Sequence, residues 1–417
     1  MLATVNTDRM WQRLQTLAGF TDPDRPWTRR AFSPVFLQAR EWLAGEFRAA
    51  GLQVRLDSAG NLIGRRQGLQ PGRKPLVTGS HSDTVPRGGR FDGALGVIAA
   101  LEVAQSLEEA GVQLRHPLEV IDFLGEEPSD HGVSCIGSRA FGGHLDAAML
   151  ALTDAGGESL QQAMDRAGGN VQALAQACRG PDGIAAFVEL HIEQGPVLET
   201  EQIEIGVVSH IVGIQRYAIT VSGRADHAGT TPMRIRQDAL AGAAHVVLEA
   251  RRLADSYRSS AAYVVATVGK LELTPNAANS VPGRAELVLE VRSDAADILQ
   301  AFAAQVMASC EDALQRLHVT ASIRLLTQTP PVACAEPVMQ AIAAAAARQS
   351  LSYRYLPSGA GHDAMHVACT GPMGMIFVPC RQGRSHCPEE WLEKEQAGAG
   401  TRVLAHTLID LDRTLSP

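Results

Sequence analysis

At 417 residues the chain is longer than one ordinary compact core, and a prior of roughly 100–200 residues per domain predicts two or three domains, two being the working number. With 45% hydrophobic and 20% charged residues it has neither the composition of a disordered chain nor the long apolar runs of a membrane protein. A formal net charge of -8, with no run of Lys and Arg, excludes the basic footprint needed for nucleic acid or another polyanion.

The opening stretch MLATVNTDRMWQRLQTLAGF holds Asp8 and Arg9 inside any apolar run, and it lacks the basic, apolar and small-residue succession of a secretory signal. An amphipathic segment around Val35 to Ala50 reads as a helix, and LQVRLDSAGNLIGRR alternates about a Gly-Asn turn as a hairpin. KPLVTGSH predicts a buried strand and Ala94 to Ala110 a helix. HPLEVIDFLGEE predicts a second strand that ends on two carboxylates. Strands alternating with helices imply a mostly parallel sheet, whose ligands gather at the carboxyl ends of the strands.

From about Gln215 the pattern changes. Strand RYAITVSG, helix QDALAGAAHVVLEARRLA, strands AYVVATVGKLEL and GRAELVLEVRS, helix DILQAFAAQVMASCEDALQRL and strand HVTASIRLL follow in the βαββαβ order of a ferredoxin-like unit. The expected organisation is therefore an α/β fold split in sequence. Residues 1–211 and 328–417 form one domain with a mostly parallel central sheet, and residues 212–327 form an inserted domain. Helix VMQAIAAAAARQ, the turn SGAGHDAMH, strand MGMIFVP and a last helix after Glu395 complete the first sheet. Hinges near 208–214 and 325–331 would let the inserted domain close as a lid and expel water.

Chemistry concentrates at strand ends. GSHSDTVPRGGRFDG holds His81, Asp83 and Asp92; FLGEEPSDHG holds Glu126 and Glu127; VELHIEQG holds His191; and GRSHCPEE holds His386. Imidazole nitrogen and carboxylate oxygen suit Zn, Mn, Co or Ni, and one carboxylate can bridge two ions. His81, Asp92, Glu127, His191 and His386 suffice for two such ions sharing a carboxylate. The cysteines, Cys135, Cys178, Cys310, Cys334, Cys369, Cys380 and Cys387, are odd in number and have no CxxC spacing. That argues against a disulfide framework or a thiolate zinc site and for a cytoplasmic location.

Taken together and in this order, these segments resemble the M20 metallopeptidase-like family. Within it they are similar to the hydantoinase/carbamoylase branch of N-carbamoyl-L-amino acid hydrolases, allantoate amidohydrolases and β-ureidopropionases. The resemblance covers nearly the whole chain and is carried by HSDTVPRGGRFDGALGV, HIEQGPVLE, GRADHAGTTPMRIRQDAL, PNAANSVPG, SGAGHDA and SHCPEE. It implies two divalent metal ions per subunit: His81 and His191 hold one, Glu127 and His386 the other, and Asp92 bridges them. Asp83 would orient His81, and Glu126 would serve as general base.

The resemblance also implies that His227 reaches into the partner subunit's site to stabilise the developing oxyanion, which makes the protein a homodimer through the lid. Gln215, Asn279 and Arg292 would bind the substrate carboxylate, for which an Arg fork is well suited. SGAGHDA reads as a turn opening a helix, and two readings stay open there: backbone contact with substrate from Gly359 to Gly361, or a helix cap with His362 packed against neighbours.

The reaction so implied removes the carbamoyl group of an N-carbamoyl-L-amino acid, with allantoate or N-carbamoyl-β-alanine as alternative small ureido substrates. A metal-dependent exopeptidase is a further rival, and a non-enzymatic binding protein is another. Where many members of the branch follow Glu-Glu with Gly-x-Arg-Phe, this chain has Pro128, Ser129, Asp130 and His131. That departure bears on the far end of the substrate. Cys135 is read as packing rather than as a nucleophile. The histidines at His116, His131, His144, His210, His245, His318, His366 and His406 have no motif to recommend them and are read as structural.

Overall fold

The computed structural model describes residues 4–415. Its chain divides into two compact units, Met1–Ser209 with Cys334–Pro417, and His210–Ala333. The second unit starts two residues before and ends six residues after the span 212–327 read from the pattern. Its last long strand runs on to Thr329, three residues past the point where HVTASIRLL gives out.

The strands, in chain order, are β1 (Gln53–Leu56), β2 (Leu62–Arg66), β3 (Leu76–His81), β4 (Leu118–Phe123), β5 (Ala186–Ile192), β6 (Ile205–Ile211), β7 (Gly213–Ser222), β8 (Asp226–His227), β9 (Val264–Thr274), β10 (Ser280–Val281), β11 (Arg284–Ser293), β12 (Thr320–Thr329), β13 (Val332–Ala333), β14 (Tyr353–Ser358) and β15 (Met373–Val378). The large sheet has the order β1-β2-β4-β3-β5-β15-β6-β13, with β14 paired to β6. Its centre, β4-β3-β5-β15, is parallel, and antiparallel strands flank it on both sides. Every residue of β3, β4, β5 and β15 is buried, as expected for parallel strands covered on both faces.

The helices Ala94–Glu109 and Lys394–Thr414 pack against this sheet and each other, with Leu95, Val97, Ile98, Leu101, Leu404 and Leu408 in one apolar core. Side chains that end β3, β4 and β5 therefore emerge together at one rim. At Gly79 the backbone φ is +147°, and an added Cβ would stand 1.9 Å from the carbonyl oxygen of Ile121 on β4. Only glycine fits there, two residues before His81.

The second unit has a four-stranded antiparallel sheet in the order β12-β7-β11-β9, with the helices Ala239–Ser256 and Ala296–Arg316 packed against it. Val246, Phe302, Val306 and the inward residues Ile219, Leu287 and Leu289 form its separate core. A two-stranded ribbon of β8 and β10, too short to leave a periodic signature, also lies in this unit.

Candidate metal centre

His81 closes β3 and His191 stands one residue before the end of β5. Glu126 and Glu127 follow β4 after Leu124 and Gly125, and Asp92 immediately precedes the turn into the helix Ala94–Glu109. His81, Asp92 and His191 form one group of potential ligand atoms, and Asp92, Glu127 and His386 form a second. Asp92 belongs to both. Its Oδ1 lies 3.2 Å from His191 Nε2 and 3.6 Å from His81 Nε2, and its Oδ2 lies 3.3 Å from His386 Nε2. His386 Nε2 is also 3.3 Å from Glu127 Oε1.

The donor set fits divalent ions. The Nδ1 of His191 lies 2.9 Å from the Ile192 carbonyl, and the Nδ1 of His81 lies 3.2 Å from the Asp83 carbonyl and 3.4 Å from Asp83 Oδ1. Hydrogens on those nitrogens satisfy the carbonyls and leave the Nε2 atoms as acceptors facing the Asp92 carboxylate, that of His191 also accepting the Gly93 amide at 3.1 Å. Ligands held at ~2.0–2.2 Å from a tetrahedral ion stand roughly 3.4 Å apart, the spacing found between these atoms.

Asp83 does more than orient His81: its carboxylate accepts the backbone N–H groups of Glu126 (3.1 Å) and Glu127 (3.2 Å), which fixes the paired carboxylates against β3. Pattern reading missed that task. It also missed Glu390, whose Oε1 accepts the amides of Arg90, Phe91 and Asp92 at 2.9, 2.7 and 3.2 Å and so shapes the turn before Gly93. Gln194 Nε2 and Ser385 Oγ donate to Asp92 Oδ2 at 2.6 and 2.7 Å. Gln194, Ser385 and Glu390 sit inside HIEQG and SHCPEE, so the motifs held the signal although the roles were not read from them.

Glu126 is buried, and its Oε2 lies 3.6 Å from His81 Nε2. Burial, reinforced by Glu127, Asp363 and Asp83 and opposed by His81, pushes its carboxyl well above the usual range. Burial acts the same way on Asp92, but the imidazoles of His191, His386 and His81 outweigh it and hold that carboxyl well below. Asp92 and then Glu127 push His386 up to about 11. Cys135 is more than packing, because its Sγ donates to Glu126 Oε1 at 3.3 Å. Burial and the Glu126 charge push the thiol well up, which keeps it a protonated donor and a poor nucleophile.

The remaining sequence-read residues fall in two places. Gly359 and Gly361 lie in the turn before the short helix Asp363–Val367. There His362, bound through Nε2 to Ser358 Oγ at 2.8 Å, packs its ring 4.6 Å from that of His191. In the second unit, His227 and Asn279 are neighbours on the β8-β10 ribbon, with Ala228 N–H donating to the Asn279 carbonyl at 3.0 Å. His227 is exposed, and its Nδ1 accepts the amides of Gly229 (3.1 Å) and Thr230 (3.2 Å), so its proton resides on Nε2 as a donor. Gln215 and Arg292 lie on the paired strands β7 and β11. Gln215 accepts from the Tyr217 hydroxyl, and the Arg292 guanidinium lies 2.7 Å from Glu290 Oε1.

Gly93 has φ +63°, and a Cβ there would stand 2.3 Å from the His81 ring. Gly93→Ala should therefore displace His81 and lower bound metal, measured by elemental analysis, while far-UV circular dichroism stays unchanged. Full metal content in that variant would refute the close approach.

A sequence profile of Peptidase family M20/M25/M40 matches residues 77–410. The chain belongs to this family. The M20 chain is 39% identical over 413 residues to the N-carbamoyl-L-amino-acid amidohydrolase of Paenarthrobacter aurescens, covering 99% of this chain and 100% of that one. It is 40% identical over 412 residues to the N-carbamoyl-L-amino acid amidohydrolase of Geobacillus stearothermophilus, covering 98% and 99%. Its fold superposes with a TM-score of 0.89 on a hydantoinase/carbamoylase family amidase from Burkholderia multivorans, at 34% identity and over 99% and 100% of the two chains. No helix among the described residues is long and apolar enough to cross a membrane.

Proposed function

We propose that the protein is a binuclear metal-dependent amidohydrolase that removes the carbamoyl group of an N-carbamoyl-L-amino acid or a similar small ureido compound bearing a carboxylate. The observation that carries this reading is Asp92, whose two oxygens face two separate sets of potential ligands. Relatives of that name, matched over essentially their whole length, support the ureido substrate.

His81 and His191 with Asp92 would hold one ion, and Glu127 and His386 with Asp92 the other, the metal being Zn, Mn, Co or Ni. Two such ions would polarise a carbonyl and acidify a water, lowering its pKa from ~15.7 toward ~7. Glu126 takes the proton of the water that attacks the ureido carbonyl and delivers it to the leaving nitrogen. The substrate's amine departs free, and the carbamate left behind breaks down to carbon dioxide and ammonia. His227, reaching into the site of the other subunit of the dimer, donates from Nε2 to the developing oxyanion, a contact worth roughly 2.7–4 kcal/mol in comparable sites.

Arg292, with Gln215 and Asn279, receives the substrate carboxylate, which displaces Glu290 from part of the guanidinium. Gly359 and Gly361 offer backbone contacts beside His362. We infer a homodimer formed through the His210–Ala333 unit. The edge strand β12 supports it, with Ile323, Leu325 and Leu326 exposed along it. The uniformly free cysteines support a cytoplasmic location.

The deciding experiment measures ammonia released by Mn- or Zn-loaded protein from N-carbamoyl-L-amino acids, N-carbamoyl-β-alanine and allantoate, with dipeptides scored separately and a chelated control. Chelator-sensitive release from one ureido class is expected. Cleavage of dipeptides alone would overturn the reading. Arg292→Ala should raise KM for carboxylate substrates by roughly tenfold to a hundredfold with little change in kcat, the loss of one charge-assisted pair. An unchanged KM would remove Arg292 from the substrate site.

A further inference from the structure

A second cluster of metal-ligating side chains lies outside the Asp92 centre, on the loop that follows Glu127. His131 is only 6% exposed, yet neither of its ring nitrogens has a hydrogen-bond partner among the described residues. An orphaned buried polar group costs about 1–3 kcal/mol, so the position calls for a partner. One ring nitrogen stands within 4.8 Å of a carboxylate oxygen of Asp154 and of Glu158, and those two oxygens are equally close to each other.

The surroundings hold the two carboxylates in place. Both come from one tight turn, in which the Gly157 amide donates to the Asp154 carbonyl at 3.1 Å. Asp154 Oδ1 accepts the amides of Gly156 (2.9 Å) and Glu158 (3.0 Å), which fixes that carboxylate while leaving its other oxygen for a further partner. Arg166 forks Glu158, Nε to Oε1 and Nη2 to Oε2, both at 2.8 Å, and its Nη1 donates to the Phe32 carbonyl at 3.0 Å. The Phe32 ring meets His131 edge-on, with centroids 5.7 Å apart. Each Glu158 oxygen keeps a second lone pair.

We propose that His131, Asp154 and Glu158 form a separate divalent-cation site, for Zn2+ or a similar imidazole-preferring ion, which ties the loop after Glu127 to the Asp154–Glu158 turn. A neutral imidazole with two carboxylates selects such an ion over Ca2+ or Mg2+, which want six or more oxygens or several waters. Arg166 offsets one of the two negative charges, and the ion would offset the other. Three protein ligands leave a fourth position for water. The three atoms lie within 4.8 Å of one another, and reaching the roughly 3.4 Å spacing of a tetrahedral shell asks for small side-chain adjustments that keep the amides on Asp154 Oδ1 and the Arg166 fork on Glu158.

The test uses the full-length protein, stripped with chelator and dialysed against Zn2+ alone, comparing wild type with Asp154→Asn and His131→Gln. Wild type should hold one equivalent of zinc more than either variant, and zinc should raise its thermal midpoint further. Asp154→Asn keeps the volume and the Oδ1 acceptor, so it guards against a folding failure in the buried His131 variant. All three proteins retain the Asp92 centre, so a difference of one equivalent does not depend on how many ions that centre holds. Equal zinc content in wild type and a folded Asp154→Asn variant overturns the site.

Discussion

Glu126→Gln should lower kcat by roughly 10²- to 10⁴-fold, the usual contribution of a positioned general base, while bound metal and KM stay near the starting values. The substitution is close to isosteric and keeps an Oε1 acceptor for the Cys135 thiol. The backbone amide held by Asp83 is untouched, so the loop carrying Glu127 stays where it is. What disappears is the ability to accept a proton within reach of His81 and its neighbours. Single-turnover assays paired with elemental analysis separate the possible outcomes. Turnover within tenfold of wild type would end the assignment of Glu126 as base. A matching loss of metal would make Glu126 a ligand instead.

His81, Glu126, Glu127 and His191 were legible as candidates because they fall at or just past the carboxyl ends of buried strands, and the motifs around them carry the family resemblance that made them a set. The inserted segment was marked off by its order of elements, βαββαβ from about Gln215, rather than by any single residue. What stayed hidden depends on chain segments far apart in sequence. Glu390 reaches back to the amides of Arg90, Phe91 and Asp92, and Asp83 braces the amides of Glu126 and Glu127. Hydrogen bonds to backbone leave no residue pattern at either end. The two-residue strands β8 and β10 are shorter than any period that could announce them, yet they set His227 beside Asn279. His131 was read as structural for want of a motif, and only its burial without a partner marks it out. Cys135 looked like packing because its contact with Glu126 requires the turn at Gly125.

Asp92→Asn should have the largest effect of all, lowering activity by roughly 10⁴-fold or more, because both the acidified water and its orientation depend on the shared carboxylate. An amide offers one neutral oxygen where the carboxylate offers two charged ones. Only one of the two ligand sets can then keep its bridge, and the other is left with His81 and His191 or with Glu127 and His386. Zinc content should therefore fall by about one equivalent, whereas Glu126→Gln loses none; that contrast separates a ligand from a base. The metal-free variant supplies an independent reading. Contact with Asp92 is the leading reason that His386 is pushed up to about 11, with Glu127 next. Removing the Asp92 charge should move the His386 titration down toward the ordinary imidazole range, followed by NMR of the ring protons. If zinc content and the His386 titration both stayed at wild-type values, Asp92 would not join the two sets.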